Sequence, residues 1–201
     1  MRAALLELCE ERGHAGLTAA EIRRRAGISE AEFGALYEDA EDAFCTVLEA
    51  MRDEFVAAVA AAVAPQPSWR AQMRAAAYAM LEFWVADPPR ARYMLVEAFS
   101  AGERASLIRD QGMEAMIALV DVGRRDPEAP ASLTRATAEA LAGTIYTQMQ
   151  RIVIEERGPE EYRQIVPELM HTLVLPYLGP EIAAEELATE GPPPPPAGAD
   201  T

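Results

Sequence analysis

Apolar residues recur at three- and four-residue spacing along most of this chain, the period of helices that bury one face. The strongest run lies near the end, where Tyr162, Ile165, Val166, Leu169, Met170, Leu173, Val174 and Tyr177 stand at offsets 0, 3, 4, 7, 8, 11, 12 and 15. At 1.5 Å per residue that stripe is roughly 23 Å long and needs a substantial apolar partner. Either the same subunit or a second copy can supply one. Upstream, Leu5, Leu8 and Cys9 share a face before Gly13, and Phe44, Val47, Leu48, Met51 and Phe55 share one within a long helix over residues 38–64. Further helices are predicted over residues 68–86, 90–99, 102–122 and 132–157. The chain reads as all-α.

Polar and special residues punctuate these runs. Pro65 and Pro67 stop the long helix and Ser68 caps the next; Asp87 caps another whose first turn holds Pro88 and Pro89; Ser132 is placed to cap the helix that Gly158-Pro159 closes. Pro167 removes a backbone donor inside the apolar stripe, which predicts a kink over residues 163–167. Gly179-Pro180 ends that helix, a short acidic helix follows over residues 180–188, and the proline-rich end of the chain is expected to be disordered.

Residues 17–37, LTAAEIRRRAGISEAEFGALY, carry a different signature. Thr18 with Glu21 and Ser29 with Glu32 are two helix-start pairs on either side of Gly27, so two short helices joined by a tight turn are predicted. That is a helix-turn-helix, whose second helix, over residues 29–37, would enter the DNA major groove.

Composition sharpens this picture. Aromatic residues are only 6% and the net charge is −15, a balance that disfavours non-specific binding to nucleic acid or anionic membrane. All 18 basic residues are Arg, so each positive group is a planar fork suited to carboxylate or phosphate. Cys9 and Cys45 have no metal-ligand spacing and read as buried thiols; His14 and His171 stand apart from cysteines and paired carboxylates; no catalytic fingerprint occurs. Neither enzyme chemistry, a metal nor a cofactor is indicated. With no apolar run of about 20 residues and no leader pattern, a cytoplasmic protein is expected.

The opening residues AALLELCEERGHAGLTAAEIRRRAGIS resemble the TetR family of transcriptional regulators in the first helix, its Glu-Arg-Gly stop, the Thr-capped second helix and the Ala-Gly-Ile-Ser turn. The resemblance implies a DNA-binding head over residues 1–48, a helical ligand-binding and dimerisation domain over 49–188, and a tail over 189–201. It implies a homodimer on palindromic DNA, acting as a repressor and paired through the last two long helices over residues 132–157 and 159–178. The stripe from Tyr162 to Tyr177 would then form the dimer seam. DNA contacts would come from Thr18, Arg23, Arg24, Arg25, Ser29, Glu30, Ala31, Glu32, Gly34, Ala35 and Tyr37. A mainly apolar ligand would sit among Tyr78, Phe83, Trp84, Met94, Phe99, Met113, Met116, Ile117, Tyr146 and Met149, with Arg151 admitting a carboxylate; ordinary core packing explains the same residues.

The departures from the family pattern bear on DNA. Glu30, Ala31 and Glu32 stand where Lys, Gly and Thr are usual, and the family's basic arm is absent. Through Leu48 there are five Arg against ten acids, a net of −5, whereas phosphate neutralisation supplies most DNA affinity. A carboxylate can accept from a cytosine amino group, which is one use for Glu30 or Glu32. The alternative to a DNA-binding regulator is a dimer of the same fold acting as a ligand-binding or protein-interaction module.

Overall fold

The computed structural model describes residues 1–189 and 191–192, so most of the expected tail lies outside the described residues. Among the described residues the chain is helical throughout and contains no strand. The helices are α1 (Arg2–Arg12), α2 (Ala19–Ala26), α3 (Glu30–Gly34), α4 (Ala40–Val63), α5 (Trp69–Val85), α6 (Pro88–Arg92), α7 (Ala98–Ser100), α8 (Gly102–Asp121), α9 (Arg135–Ile154) and α10 (Pro159–Leu187). A π-helical segment, Tyr93–Glu97, joins α6 to α7.

Local chemistry sets most boundaries. Thr18 Oγ1 accepts from the Glu21 N–H, and Gly27 ends α2 at φ 70°, a left-handed conformation that costs glycine little. Ser29 and Glu32 make a full reciprocal capping box for α3. Asp39, Ser68 and Asp87 cap α4, α5 and α6. Two expectations are corrected. α3 stops at Gly34 instead of reaching residue 37, because the N–H groups of Leu36 and Tyr37 both turn back to the Phe33 carbonyl. Thr134, not Ser132, precedes α9. Pro167 lies within α10, and the helix is interrupted where expected, at Gly179, whose φ 83° and ψ 172° are non-helical; a second helical segment runs on to Leu187. Arg163, whose carbonyl loses its donor, is exposed, so water can satisfy it.

Two apolar cores form. One gathers Leu5, Leu8, Ile22, Phe33, Phe44, Cys45 and Met51 from the N-terminal helices, and Tyr93, Ala98, Ala105 and Ile108 complete it. The other gathers Trp69, Trp84, Met149, Met170 and Tyr177. Here the α10 stripe finds its partner. Val166, Met170, Leu173, Val174 and Tyr177 are buried within the chain itself, where α10 lies against α5. Ile165 and Leu169 are half-buried against the same core, and the Tyr162 side chain lies outside the described residues. The expected dimer seam is thus mostly an internal one: α5 is apolar around much of its circumference and needs covering on two sides. Glu168, Thr172 and Leu175 are among the residues that α10 turns outward.

The segment after Gly179 is strapped to α5. Glu186 is fully buried and accepts from both Arg70 and Arg74, while Arg74 Nη1 donates to the Thr189 carbonyl at 3.1 Å. A buried carboxylate needs such partners.

Candidate functional site

The helix-turn-helix presents Glu30, Ala31, Glu32, Gly34, Ala35 and Leu36 to solvent, with Leu36 66% exposed. Tyr37 is half-buried and packs on Phe33 at 5.3 Å between ring centroids. The positive groups beside this surface are engaged. Arg23 Nη1 donates to Glu30 Oε2 at 2.7 Å, and Arg25 donates to Glu7 at 2.9 Å and to Glu11 at 2.8 Å. Arg24 stands 3.9 Å from Glu21 with its side chain 72% exposed, the least committed of the three. The Arg25 hydrogen bond holds the Glu11 carboxyl below its ordinary range, and the same pairing raises Arg25.

The polar candidates for base reading are committed too. Glu32 Oε2 accepts from the Ser29 N–H at 2.8 Å and from Ser29 Oγ at 2.7 Å, which lowers its pKa. Thr18 Oγ1 donates to Glu21 Oε2 at 2.9 Å. Glu30 and Glu32 therefore serve ion pairing and helix capping in the free protein, two roles consistent with their spacing.

Between α4, α5, α8 and α9 lies an apolar cavity of about 70 Å³. Of the residues expected to line a pocket, Trp84, Met94, Met113, Met116, Tyr146 and Met149 meet there. The others do not. Phe83 is buried, with Arg90 3.7 Å above its ring; Phe99 is 58% exposed; the Tyr78 hydroxyl accepts from Gly191; Ile117 packs on the outer core; and Arg151 is exposed and paired with Glu155 at 2.8 Å. Leu48, Arg52, Phe55, Met80, Leu95, Ile108, Arg109 and Gly112 complete the lining. Leu48, Arg52 and Phe55 fall at four- and three-residue steps on α4, so their shared face was legible; that it faces a cavity was not.

Two further spaces adjoin this one. A void of about 50 Å³ opens toward α10, and a groove of about 280 Å³ runs along the outside between α4 and α8, walled by Phe55, Val59, Val63 and Ala115. Met80 and Met116 border all three spaces. Unbranched thioethers change rotamer at little cost, so their movement would merge the spaces into one apolar slot. The charged groups at the inner cavity are Arg52, bonded to Asp53 at 2.8 Å and to Gln111, and Arg109, bonded to Asp110 at 2.9 Å and 4.9 Å above the Phe99 ring. These two arginines line the cavity, and Arg151 does not.

The π-helical segment touches both the cavity and the head. Met94 and Leu95 line the cavity, and the Leu95 carbonyl accepts from Gln150 Nε2 at 2.9 Å and Tyr146 Oη at 3.3 Å. On its other side Tyr93 stacks on Phe44 at 4.3 Å and donates to the Phe44 carbonyl at 3.0 Å, so burial raises its pKa. Glu97, also buried, accepts the His14 N–H at 2.7 Å. Such π turns occur often at functional sites.

A small helix-turn-helix head is joined to a larger helical body with an apolar cavity. Solved structures that resemble it include transcriptional regulators. The fatty acid degradation regulator FadR from Bacillus halodurans superposes with a TM-score of 0.75 at 13% identity, over 86% of this chain and 95% of that one. FadR from Bacillus subtilis in complex with stearoyl-CoA gives 0.76 at 13% identity, over 87% and 96%. A regulatory protein of the TetR family from Rhodococcus RHA1 gives 0.68 at 17% identity, over 86% and 94%. No protein-family model and no curated protein matches the chain. The chain has the fold of TetR-family transcriptional regulators. Among the described residues no helix is long and apolar enough to cross a membrane.

Proposed function

We propose that this protein is a cytoplasmic, dimeric transcriptional regulator of the TetR kind, most simply a repressor, with a head over residues 1–48 and a sensing and dimerisation domain over 49–188. Its ligand is a molecule with a long apolar chain. The observation that carries the reading is the π-helical segment, which puts Met94 and Leu95 on the cavity and Tyr93 and Glu97 of the same turn on the head's core. A ligand that needs Met94 and Leu95 to move must move the anchor of the head with them. The merged slot favours an extended acyl chain, with Arg52 and Arg109 on an anionic end; the similar regulator from Bacillus subtilis was solved with stearoyl-CoA. Dimerisation would use the outward faces of α9 and α10, where Ala140, Thr144, Thr147, Thr172 and Leu175 are exposed.

Fluorescence anisotropy on duplexes from upstream of the protein's own gene, with and without stearoyl-CoA, tests this. Salt-sensitive binding to a palindrome that stearoyl-CoA weakens is expected, together with a ligand-dependent rise in Tm. Absence of specific binding at low salt refutes the DNA role. One observation favours a second reading, a protein-interaction module: Arg23 and Arg25 are already held by Glu30, Glu7 and Glu11. A specific nanomolar operator would eliminate it.

A further inference from the structure

A second cleft, which shares only Trp84 with the lining of the apolar slot, lies where α1, α6 and the ends of α5 and α9 meet. It has room of about 350 Å³. Its walls are apolar: Val85, Pro88 and Pro89 on one side, Ile152 and Val153 on the other, with Trp84 behind. Its charged groups are of both signs. Arg92 forms an ion pair with the buried Glu97, Nε to Oε1 at 3.4 Å; that nitrogen is buried without a hydrogen bond, and among the described residues the terminal nitrogens make none. Arg157, by contrast, is taken by Glu155 at 2.7 Å. Glu10 from α1 and Glu156 from the turn after α9 border the same cleft, and among the described residues no cation pairs with either. The indole N–H of Trp84, a residue 4% exposed, is also buried without an acceptor.

Glu156 adopts φ 52°, the left-handed conformation at a helix end where glycine is usual. The backbone strain there supports a carboxylate at the rim. A guanidinium paired with Glu97 but with no hydrogen bond made, two carboxylates without a cation and an apolar wall complement a molecule that carries an anion, a cation and an apolar body. We propose that this cleft binds a small zwitterion, a free α-amino acid with an apolar side chain. The carboxylate meets Arg92, the ammonium lies between Glu10 and Glu156, and the side chain rests on Val85, Pro88, Pro89, Ile152 and Val153. A lone anion would meet the two carboxylates, and a lone cation would leave the Arg92 donors unsatisfied. Because Glu10 belongs to α1 while the other groups belong to the body, the bound molecule also ties the head to the body.

Isothermal titration of the full chain with L-phenylalanine, 3-phenylpropanoate and 2-phenylethylamine separates the charges on one apolar body. L-phenylalanine is expected to bind about tenfold or more tightly than either single-charge analogue. Glu156→Gly should raise Tm, by relieving the left-handed strain, while weakening L-phenylalanine about tenfold; a gain in stability rules out misfolding as the cause. Glu10→Gln should weaken it comparably. Met116→Trp, which fills the apolar cavity, should leave that affinity unchanged. No heat with L-phenylalanine at roughly millimolar concentrations overturns the proposal. So do equal affinities for all three probes, unchanged binding in Glu156→Gly, or loss of binding in Met116→Trp.

Discussion

Freeing the arginines of the head is the most direct probe of its relation to DNA. The triple change Glu7→Gln, Glu11→Gln, Glu30→Gln removes the carboxylates that hold Arg25 at 2.9 and 2.8 Å and Arg23 at 2.7 Å. These pairs are exposed, and exposed pairs add little to folding, so Tm should barely move. DNA binding should change much more. Two forks become free per head, hence four in the proposed dimer, and each new phosphate contact steepens the log-log salt slope by about 0.9. The slope should steepen by about 3.6, so between roughly 200 and 50 mM salt the variant should gain about 100-fold more than the parent does. Anisotropy of a labelled random-sequence duplex across that range measures it. A control that changes Glu82, Glu128 and Glu181 to Gln removes the same charge from −15 without releasing Arg23 or Arg25. An unchanged slope in the triple variant, or an equal change in the control, refutes the idea that ion pairing inside the head restrains DNA binding.

Other outcomes follow from buried groups. Glu186→Gln leaves Arg74, 6% exposed, without its carboxylate and should cost about 3–5 kcal/mol, lowering Tm by about 10 °C in a thermal melt. Gly123→Ala would put a methyl 2.5 Å from Trp69 and 2.8 Å from Tyr177, so a loss of about 1–3 kcal/mol is expected in urea unfolding. Burial raises the thiols of Cys9 to about 12 and Cys45 to about 11, against an ordinary 9.0, so neither should react with a disulfide reagent until the chain unfolds. The unfolded chain releases these protons first. Stability should therefore be intact below pH 9.0 and fall as pH rises above it, read as a lower urea midpoint at pH 10 than at pH 8.

The helix-turn-helix was legible because its signals are local: Thr18, Gly27 and Ser29 each fix a few backbone bonds, and each does so where spacing predicted. The long helices were legible from period alone. Which surface a stripe meets is a tertiary fact, and here period misled. The run from Ile165 to Tyr177 has the regularity of a subunit seam, yet Val166, Met170, Leu173, Val174 and Tyr177 fill the chain's own core. Regular spacing states that a face is buried, not by what. Six of the pocket residues came together because large, flexible apolar side chains gather wherever helices splay. The polar ends of that site, Arg52 and Arg109, were missed because both are surface-type residues with an acid next in sequence, the pattern of a solvated pair. The π turn at Tyr93–Glu97 leaves no trace in apolar spacing.

A head that grips DNA weakly would be well matched to control by geometry. If each head contributes few phosphate contacts, one head alone binds duplex DNA feebly, and useful affinity arises only when both heads of the proposed dimer bind together. The second head then acts at the high effective concentration set by the first, an advantage that disappears once the spacing no longer fits the half-sites. Small displacements suffice for that loss. In this chain Tyr93 and Glu97 hold Phe44 and His14 of the head, so a shift of the π turn by one residue would carry α1 and α4 with it. A strongly basic head would stay bound through its own contacts and blunt the switch. By that reasoning the triple variant that frees Arg23 and Arg25 should bind DNA more tightly and respond less to stearoyl-CoA. If its affinity rises while its ligand response stays whole, the switch does not depend on the weakness of the single head.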